Sequence, residues 1–264
     1  MYVNFAKKWN GKQGPAPRHR GYSAAKIDRL TSSWITQPLT EDAELKKQLR
    51  TIRVRSRELC QNNDYAKRFI NMVNTHVVGP VGIRFQNKAM NAEGVLDTNV
   101  NKSIETAFLE WGSKENASVT GKLSWVALQR MYAKTVARDG EVIVRKVKGF
   151  KNDFKFALQF IEADHLDENY NEELSNGNRI VMGSEKDPWS KPVAYHLLKK
   201  HAGDYSYGHI SGKIYDRVPA DEIIHSFVPD RPTQSRGVPW MVTAMLRLNM
   251  LGGYEEAELV AARS

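Results

Sequence analysis

The stretch HSFVPDRPTQSRGVPW, residues 225–240, decides how this chain is read. It holds three prolines, one glycine and two arginines in sixteen residues. Each proline fixes φ and removes a backbone donor, so the spacing predicts a rigid turn over residues 229–239. Guanidinium groups hold carbonyl or carboxylate oxygens in a planar geometry, which favours fixed acceptors for Arg231 and Arg236. We therefore expect a stiff joint between a strand and a helix.

The segment before this joint is predicted to be rich in strands. Residues 141–147 alternate β-branched and polar side chains after an Asp139-Gly140 turn, a pattern typical of a half-buried strand. Beyond the joint, Pro239 suits the first position of a helix, which we expect over residues 240–264 with a bend or break at Gly252-Gly253. Further strands are expected at 156–161, 179–183, 192–198, 213–218 and 222–227.

The first half of the chain is predicted to be helical. Thr40 is placed to cap a helix whose buried positions are Leu45, Leu49 and Ile52. The Asn62-Asn63-Asp64 cluster ends this helix and starts a second, which runs to Gly79-Pro80. A short strand at 82–86 and helices at 102–111 and 124–138 follow. The chain is therefore assigned to the α+β class, with a helical N-terminal part, a β-rich middle and a long C-terminal helix.

The positive charge is concentrated at one end. Residues 1–79 carry 15 basic and 6 acidic side chains, while residues 80–264 carry 24 of each, so the net charge of +9 is N-terminal. Such clustering indicates a polyanionic partner, or equally a solvated basic surface. Residues 1–38 are predicted to be a basic flexible tail. Four cations follow a 4-3-4 spacing that predicts one helix flank and a contact with DNA or a neighbouring subunit: Lys46, Arg50, Arg53 and Arg57.

No catalytic or cofactor-binding pattern is present in the sequence. It has neither a G-x-x-x-x-G-K-[ST] loop nor a G-x-S-x-G turn. Cys60 is the single cysteine, which excludes an intrachain disulfide, favours a reducing cytoplasm and is expected to be an idle thiol. His196, His201 and His209 lack the spacing of a zinc site, and we predict no metal. No apolar run is long enough to cross a membrane.

Two alternative functions stay open at this point. The acidic group Glu162, Asp164, Asp167 and Glu168 has the oxygen ligands of a metal-dependent nuclease, although a solvated acidic loop at a strand end has the same composition. The basic residues 46–57 would equally suit a monomeric nucleic-acid-binding module. A ring-sized particle would exclude both alternatives.

The stretch 225–240 and the helix after it resemble the lambda-type portal proteins of tailed phages. Their motif reads H-x-F-x(3)-R-x-x-Q-x-R-G-x-P-W, before a helix that ends in Y-x-x-A-E-L-x-A-A. Shorter matches occur in the same order at 57–66, 77–79, 139–141 and 192–196, so the resemblance covers about residues 45–264. The positions that match the first motif are His225, Phe227, Arg231, Gln234, Arg236, Gly237, Pro239 and Trp240.

The resemblance implies a structural protein with no enzymatic activity and no cofactor. Such subunits form a ring, usually of twelve copies, at one capsid vertex, and double-stranded DNA is packaged and ejected through it. Implied partners are the terminase, head-completion and tail proteins and the capsid protein, with assembly in the host cytoplasm and residence in the virion. Residues 39–138 would be wing-like, 139–228 wing or clip, and 229–264 the joint and the start of the stem. Family members are about twice this length, which predicts a partial chain.

Overall fold

The computed structural model describes residues 22–201, 203 and 214–263, and the chain divides into two compact units between Pro38 and Leu39. In the first unit, the described residues form a 3-10 helix at Ser23–Ala25 and turns through residue 34. The predicted flexible tail lies largely in residues 1–21, outside the described residues. Judged by length and hydropathy, the helices of the described part include none that could cross a membrane.

The second unit begins with helices and continues with strands, as the α+β assignment predicts. Its first helices pack around α6, which places Ile70, Val73, Ala133 and Ala137 in one buried cluster. The helices are α1 Glu41–Leu45, α2 Leu49–Asn62, α3 Asp64–Val73, α4 Thr98–Trp111, α5 Lys114–Ala117 and α6 Trp125–Asp139. A π-helical turn, Asn74–Val78, extends α3 and ends at Gly79, whose φ is +72°.

Two local predictions in this helical part are wrong. The helix expected from Thr40 is divided by a turn at residues 46–48 into α1 and α2. Residues 82–86 belong to no strand. The backbone of Ile83 is instead paired by an amide side chain, with Gln129 Oε1 accepting from Ile83 N at 2.6 Å and Gln129 Nε2 donating to Ile83 O at 3.0 Å. A side chain therefore supplies the bonds that a neighbouring strand would otherwise make.

The strands form two antiparallel sheets. The first has the order β2-β1-β8, and the second has the order β3-β4-β5-β6-β7. The central strand β1 pairs Ile143 with Ile161 on one side and with His225 on the other. The strands are β1 Glu141–Lys148, β2 Phe156–Ile161, β3 Glu172–Glu173, β4 Arg179–Val181, β5 Ser184–Lys186, β6 Pro192–Leu198, β7 Tyr215–Pro219 and β8 Ile223–Phe227.

Alternate residues of β1 enter two different cores. Val142 and Val144 pack with the Trp111 and Leu128 side chains of the helices. Ile143 points to the opposite face and packs with Leu166, Tyr195, Leu197 and Val218 of the second sheet region. The period of two residues in the sequence thus becomes a strand that is buried on both faces.

The C-terminal helix α7, Met245–Arg263, starts later than predicted and is continuous. Residues 240–244 form turns, because the Trp240 N–H donates to the Ala137 carbonyl at 3.1 Å and ties this segment to α6. Pro239 is consequently not the first residue of the helix. No break occurs at Gly252-Gly253. Met245 is buried, whereas most of α7 beyond it is exposed.

Candidate functional site

Glu141 is the centre of a fully buried group of charges. It is the first residue of β1, directly after Gly140, which caps α6 in the left-handed conformation. Both carboxylate oxygens accept from Arg236 Nε at 2.9–3.0 Å, and Oε1 also accepts from Arg53 Nη2 at 2.5 Å. His225 Nε2 lies 2.9 Å from Oε2. One carboxylate therefore joins α2, β1, β8 and the turn after β8.

Arg236 is fully buried and uses its whole guanidinium group. Besides Glu141, it donates through Nη1 to the Leu166 carbonyl at 2.7 Å and to the Met182 carbonyl at 3.2 Å. Nη2 donates to the Ala163 carbonyl at 3.0 Å and to Glu141 Oε1. Each of its five N–H donors thus has an acceptor, an arrangement that a lysine ammonium cannot reproduce.

The charge on Glu141 is stabilised by its partners. Burial acts to raise the pKa of Glu141, but Arg236, Arg53 and His225 outweigh burial and hold this pKa well below its usual value. The carboxylate therefore remains ionised far below neutral pH. An ion pair of this kind costs desolvation of both groups, so its contribution lies in fixing geometry as much as in stability.

A second group of charges surrounds the first. Arg57 donates from Nε to Asp139 Oδ1 at 3.0 Å and from Nη1 to Asp164 Oδ2 at 2.5 Å. Arg138 also binds Asp139 at 2.9 Å. Burial acts to raise the pKa of Asp139, but Arg138 and Arg57 outweigh it and lower this pKa. Burial also acts to raise the pKa of Asp164, where Arg53 and Arg57 outweigh it and lower the pKa. The two groups share Arg53, which also donates to Asp164 at 3.2 Å.

The four cations predicted to share one flank are divided by the structure. Lys46 and Arg50 are exposed, whereas Arg53 is fully buried on Glu141 and Arg57 is largely buried between two aspartates. The single exposed cationic face that the spacing predicts is therefore absent. Contact with DNA or with a neighbouring subunit stays a prediction for Lys46 and Arg50.

Two glycines allow the turn to touch the start of β1. A Cβ on Gly237 would lie 2.1 Å from the Gly140 carbonyl oxygen, and a Cβ on Gly140 would lie 2.3 Å from the Val238 carbonyl carbon. Gly140 also has a φ of +88°, while Gly237 is absent from the glycines with positive φ. The need for glycine at 237 is thus a close backbone approach to Gly140, and not a positive φ.

The other motif residues lie around the same turn. Gln234 accepts from the Asp230 N–H at 2.7 Å and donates to the Arg236 carbonyl at 2.7 Å. Arg231 donates to the Leu39 carbonyl at 3.1 Å. The Phe227 ring lies 5.0 Å from the His225 ring. The Pro239 carbonyl accepts from Val242 N at 3.0 Å, and Trp240 is partly exposed.

We call the arrangement of Glu141, Arg53, His225, Arg236 and Gly237 the charged joint.

Sequence reasoning missed three partners of the turn. Glu141 begins an apolar strand, and a glutamate in such a position is a signal for a buried ion pair. Asp42 accepts from the Ser235 N–H at 2.8 Å and so ties α1 to the turn. Lys186 Nζ donates to Ser235 Oγ at 2.6 Å from the other side. These contacts bring the two sheets and the first helix to one place.

The candidate metal ligands are only partly brought together. Glu162, Asp164 and His201 place one ligand atom each within 4.8 Å of one another, a grouping that the sequence did not indicate. Asp164 is already bound by Arg53 and Arg57, which supply positive charge where a cation would sit. His196 binds Glu185 at 3.1 Å in the second sheet, and His209 lies outside the described residues.

The acidic loop is not solvated throughout. Asp167 and Glu168 are buried, and Asp167 Oδ2 accepts from the Tyr215 hydroxyl at 2.6 Å. The alternative interpretation of the acidic group as a solvated loop is therefore wrong for these two residues. Within the described part of the chain, Asp167 does not join the group formed by Glu162 and Asp164. Burial raises the pKa of the half-buried Cys60 thiol, which disfavours a nucleophilic role.

Comparison with known proteins gives two matches. A family model described as "Phage portal protein, lambda family" matches residues 28–264. A protein of Halomonas phage phiHAP-1 (isolate -/Gulf of Mexico/-/2001), named "Probable portal protein", is 41% identical over 245 residues. The match covers 92% of this chain and 47% of the relative. The chain thus spans about half the length of the curated relative that it matches.

Proposed function

The chain belongs to the lambda family of phage portal proteins, and we propose that it is a structural subunit of the ring through which double-stranded viral DNA enters and leaves the head. The family is structural rather than enzymatic. The observation that carries the proposal is the charged joint, because Arg236 and Gly237 of the family motif connect the α+β body to the start of α7. Because all five N–H donors of Arg236 have acceptors, the joint gives every copy the same helix direction, as a closed ring requires.

An uncovered face of α7 supports association between copies. One side of the helix meets the body, where Asn63 Nδ2 donates to the Leu248 carbonyl at 3.4 Å and Tyr65 donates to Glu255 at 2.7 Å. On the opposite side, Leu246, Met250 and Tyr254 follow one another at four-residue spacing and are 63–68% exposed. We call these three residues the α7 stripe. Contiguous apolar surface of this kind marks an interface, and a second copy is the occupant that ring formation supplies.

The remaining parts of the proposal come from the portal assignment. They are a ring of twelve copies, duplex DNA in the channel, and contacts with the terminase, the head-completion and tail proteins and the capsid protein. The corresponding location is the capsid vertex of the virion, with assembly in the host cytoplasm. Within this scheme, α7 begins the stem, and residues 39–228 form the wing and part of the clip.

The test is the particle size of this chain at tens of micromolar. We expect rings in negative-stain micrographs and a matching mass by light scattering, and we expect Leu246→Glu with Met250→Glu to abolish them. The matched control is Leu109→Glu, which charges a leucine of α4 that is 76% exposed. A monodisperse monomer of the unmodified chain would contradict ring formation. If the control loses its rings while the variant with Leu246→Glu and Met250→Glu keeps them, the α7 stripe is not part of the interface.

A further inference from the structure

A cationic groove lies between α2, α3 and α6 and shares Arg57 with the four cations that the sequence singled out as a set. It has a volume of about 350 Å³ and is lined by Arg57, Cys60, Lys67, Asn71, Lys134 and Arg138, among others. We propose that this groove binds phosphate groups of the double-stranded DNA backbone. The inference rests on the proposed function, which supplies duplex DNA as the partner, and it names the residues that would meet it.

The charge of the groove is not balanced internally. Arg57 and Arg138 are paired with Asp139, and Arg57 also with Asp164. Across the described residues, Lys67 and Lys134 have no carboxylate within ion-pair distance, and both are exposed. The acid that lines the groove is Glu162, whose side chain is 67% exposed and lies 3.3 Å from His201. Two free lysines therefore face this one carboxylate.

The cations continue as a row along α6. Arg130, Lys134 and Arg138 follow at four-residue spacing and line an adjoining cavity of about 450 Å³. Four residues of α-helix advance by about 6 Å. Phosphates of one strand recur every ~3.4 Å along the duplex axis, so each cation of a helix laid along the backbone meets a different phosphate.

The neutral side chains of the groove also fit a phosphate rather than a base. Gln61 and Asn71 line it and offer amide N–H donors, which commonly accompany lysine and arginine on phosphate oxygens. No aromatic ring lines the groove in the described part of the chain, so it has no platform on which unpaired bases could stack. This combination favours the backbone of a duplex over a single strand.

Cys60 makes the groove directly observable. It lines the groove and is the single cysteine of the chain, so thiol modification reports on this place alone. The experiment measures the rate of Cys60 alkylation with and without a short random-sequence duplex at low salt. The same duplex is titrated against the chain at several salt concentrations. Both measurements are made on the unmodified chain, on Lys67→Gln with Lys134→Gln, and on the control Lys102→Gln with Lys122→Gln, two exposed lysines outside the groove.

We expect the duplex to slow Cys60 alkylation at least several-fold in the unmodified chain and in the control, but not in the Lys67/Lys134 variant. Since each phosphate contact contributes about 0.9 to the slope of log K against log salt, the variant should lower that slope by roughly 1.8. Binding of the duplex without protection of Cys60 would overturn the inference. Equal losses of Cys60 protection in the Lys102/Lys122 control would overturn it as well. So would a parallel measurement in which poly-glutamate, added in place of the duplex, protects Cys60 and DNA does not.

The outcome is separable from that of the proposed function. Rings whose Cys60 is not protected by duplex would overturn the groove and leave ring formation intact. Protection in a chain that stays monomeric would support the groove and contradict the ring. Circular dichroism of both lysine variants establishes that they are folded.

Discussion

Two buried glutamates, Glu141 and Glu185, hold the molecule together in different ways. Glu185 accepts from Asn178, His196 and Arg217, which lie 7, 11 and 32 residues away and belong to the second sheet or its turns. Glu141 accepts from Arg53, His225 and Arg236, which lie 88, 84 and 95 residues away. Glu185 therefore ties neighbouring strands, whereas Glu141 ties together segments that are distant in the sequence of the second unit.

Exposure of the arginine partners separates the two sites further. The Arg217 side chain is 51% exposed, while the Arg53 and Arg236 side chains are fully buried. Solvent is available to replace the half-exposed Arg217 when it is lost, whereas the arginine partners of Glu141 are fully buried. The comparison thus predicts that equivalent substitutions at the two sites differ severalfold in their effect on stability.

The largest effect is expected for Arg236→Met. It leaves Glu141 with a weakened set of donors and leaves the Leu166, Met182 and Ala163 carbonyls without their guanidinium donor. We expect the free energy of unfolding to fall by about 3–5 kcal/mol in urea denaturation. Arg217→Met is the matched control at the exposed site, with an expected loss of about 1 kcal/mol. Equal losses would break the comparison.

A smaller effect is expected for Gly237→Ala. Its Cβ would lie 2.1 Å from the Gly140 carbonyl oxygen, so the turn must move away from β1 and loosen the bond from Gly237 N to Glu141. We expect a loss of about 2–3 kcal/mol in the free energy of unfolding. Gly253→Ala provides the control, because nothing lies within 4 Å of its Cβ and it sits in α7. That variant should be stabilised by about 0.5–1 kcal/mol.

The smallest effect concerns the pH dependence at the sheet site. Hydrogen bonding to Arg217, opposed by burial and aided by Asn178 and His196, lowers the pKa of Glu185 from its usual 4.5 to about 2. A lowered native pKa adds stability above the unfolded value, and this stability is lost as the pH falls from about 4.5 towards 2. Glu185→Gln should reduce the loss of unfolding free energy over this pH range by about 1–2 kcal/mol. This is less than the whole pKa shift would give, because Arg217 is half exposed and solvent screens its charge.

An unfolding titration from neutral pH to pH 2 compares the unmodified chain with this variant. Tyr170→Phe serves as a control in the same sheet region, since it removes the hydroxyl that donates to Glu172 and leaves the contacts of Glu185 intact. If Glu185→Gln and the unmodified chain lose the same unfolding free energy between about pH 4.5 and pH 2, the charge of the carboxylate at 185 does not contribute to stability.

The sequence indicated those parts of the fold that depend on local patterns. Alternation marked β1, Ser124 and Gly140 marked the two ends of α6, and prolines marked the turn before α7. Residues 82–86 had the composition of a strand, but their bonding partner is a side chain of α6, 46 residues away, which no local pattern shows. The prediction of where α7 begins was wrong for the same reason. The Trp240 N–H donates to the carbonyl of Ala137, a residue that is distant in the sequence.

The candidate site shows the same contrast between what local sequence patterns indicate and what only the fold brings together. The motif 225–240 identified Arg236 as a guanidinium that needs acceptors, but not Glu141 as its partner, since the pairing depends on which segments the fold brings together. Equal spacing made Lys46, Arg50, Arg53 and Arg57 look alike. Only the position of β1 distinguishes the buried Arg53 from the exposed Arg50.

The central claim is that the charged joint sets the direction of α7 so that copies close into a ring. It is tested most directly by Arg236→Lys, which keeps the charge but loses the planar set of donors. Negative-stain images and mass are compared with those of the unmodified chain and of Arg217→Lys, with circular dichroism as the check on folding. We predict a folded Arg236→Lys chain that forms few or irregular rings, and normal rings for Arg217→Lys. Normal rings from Arg236→Lys would contradict the claim.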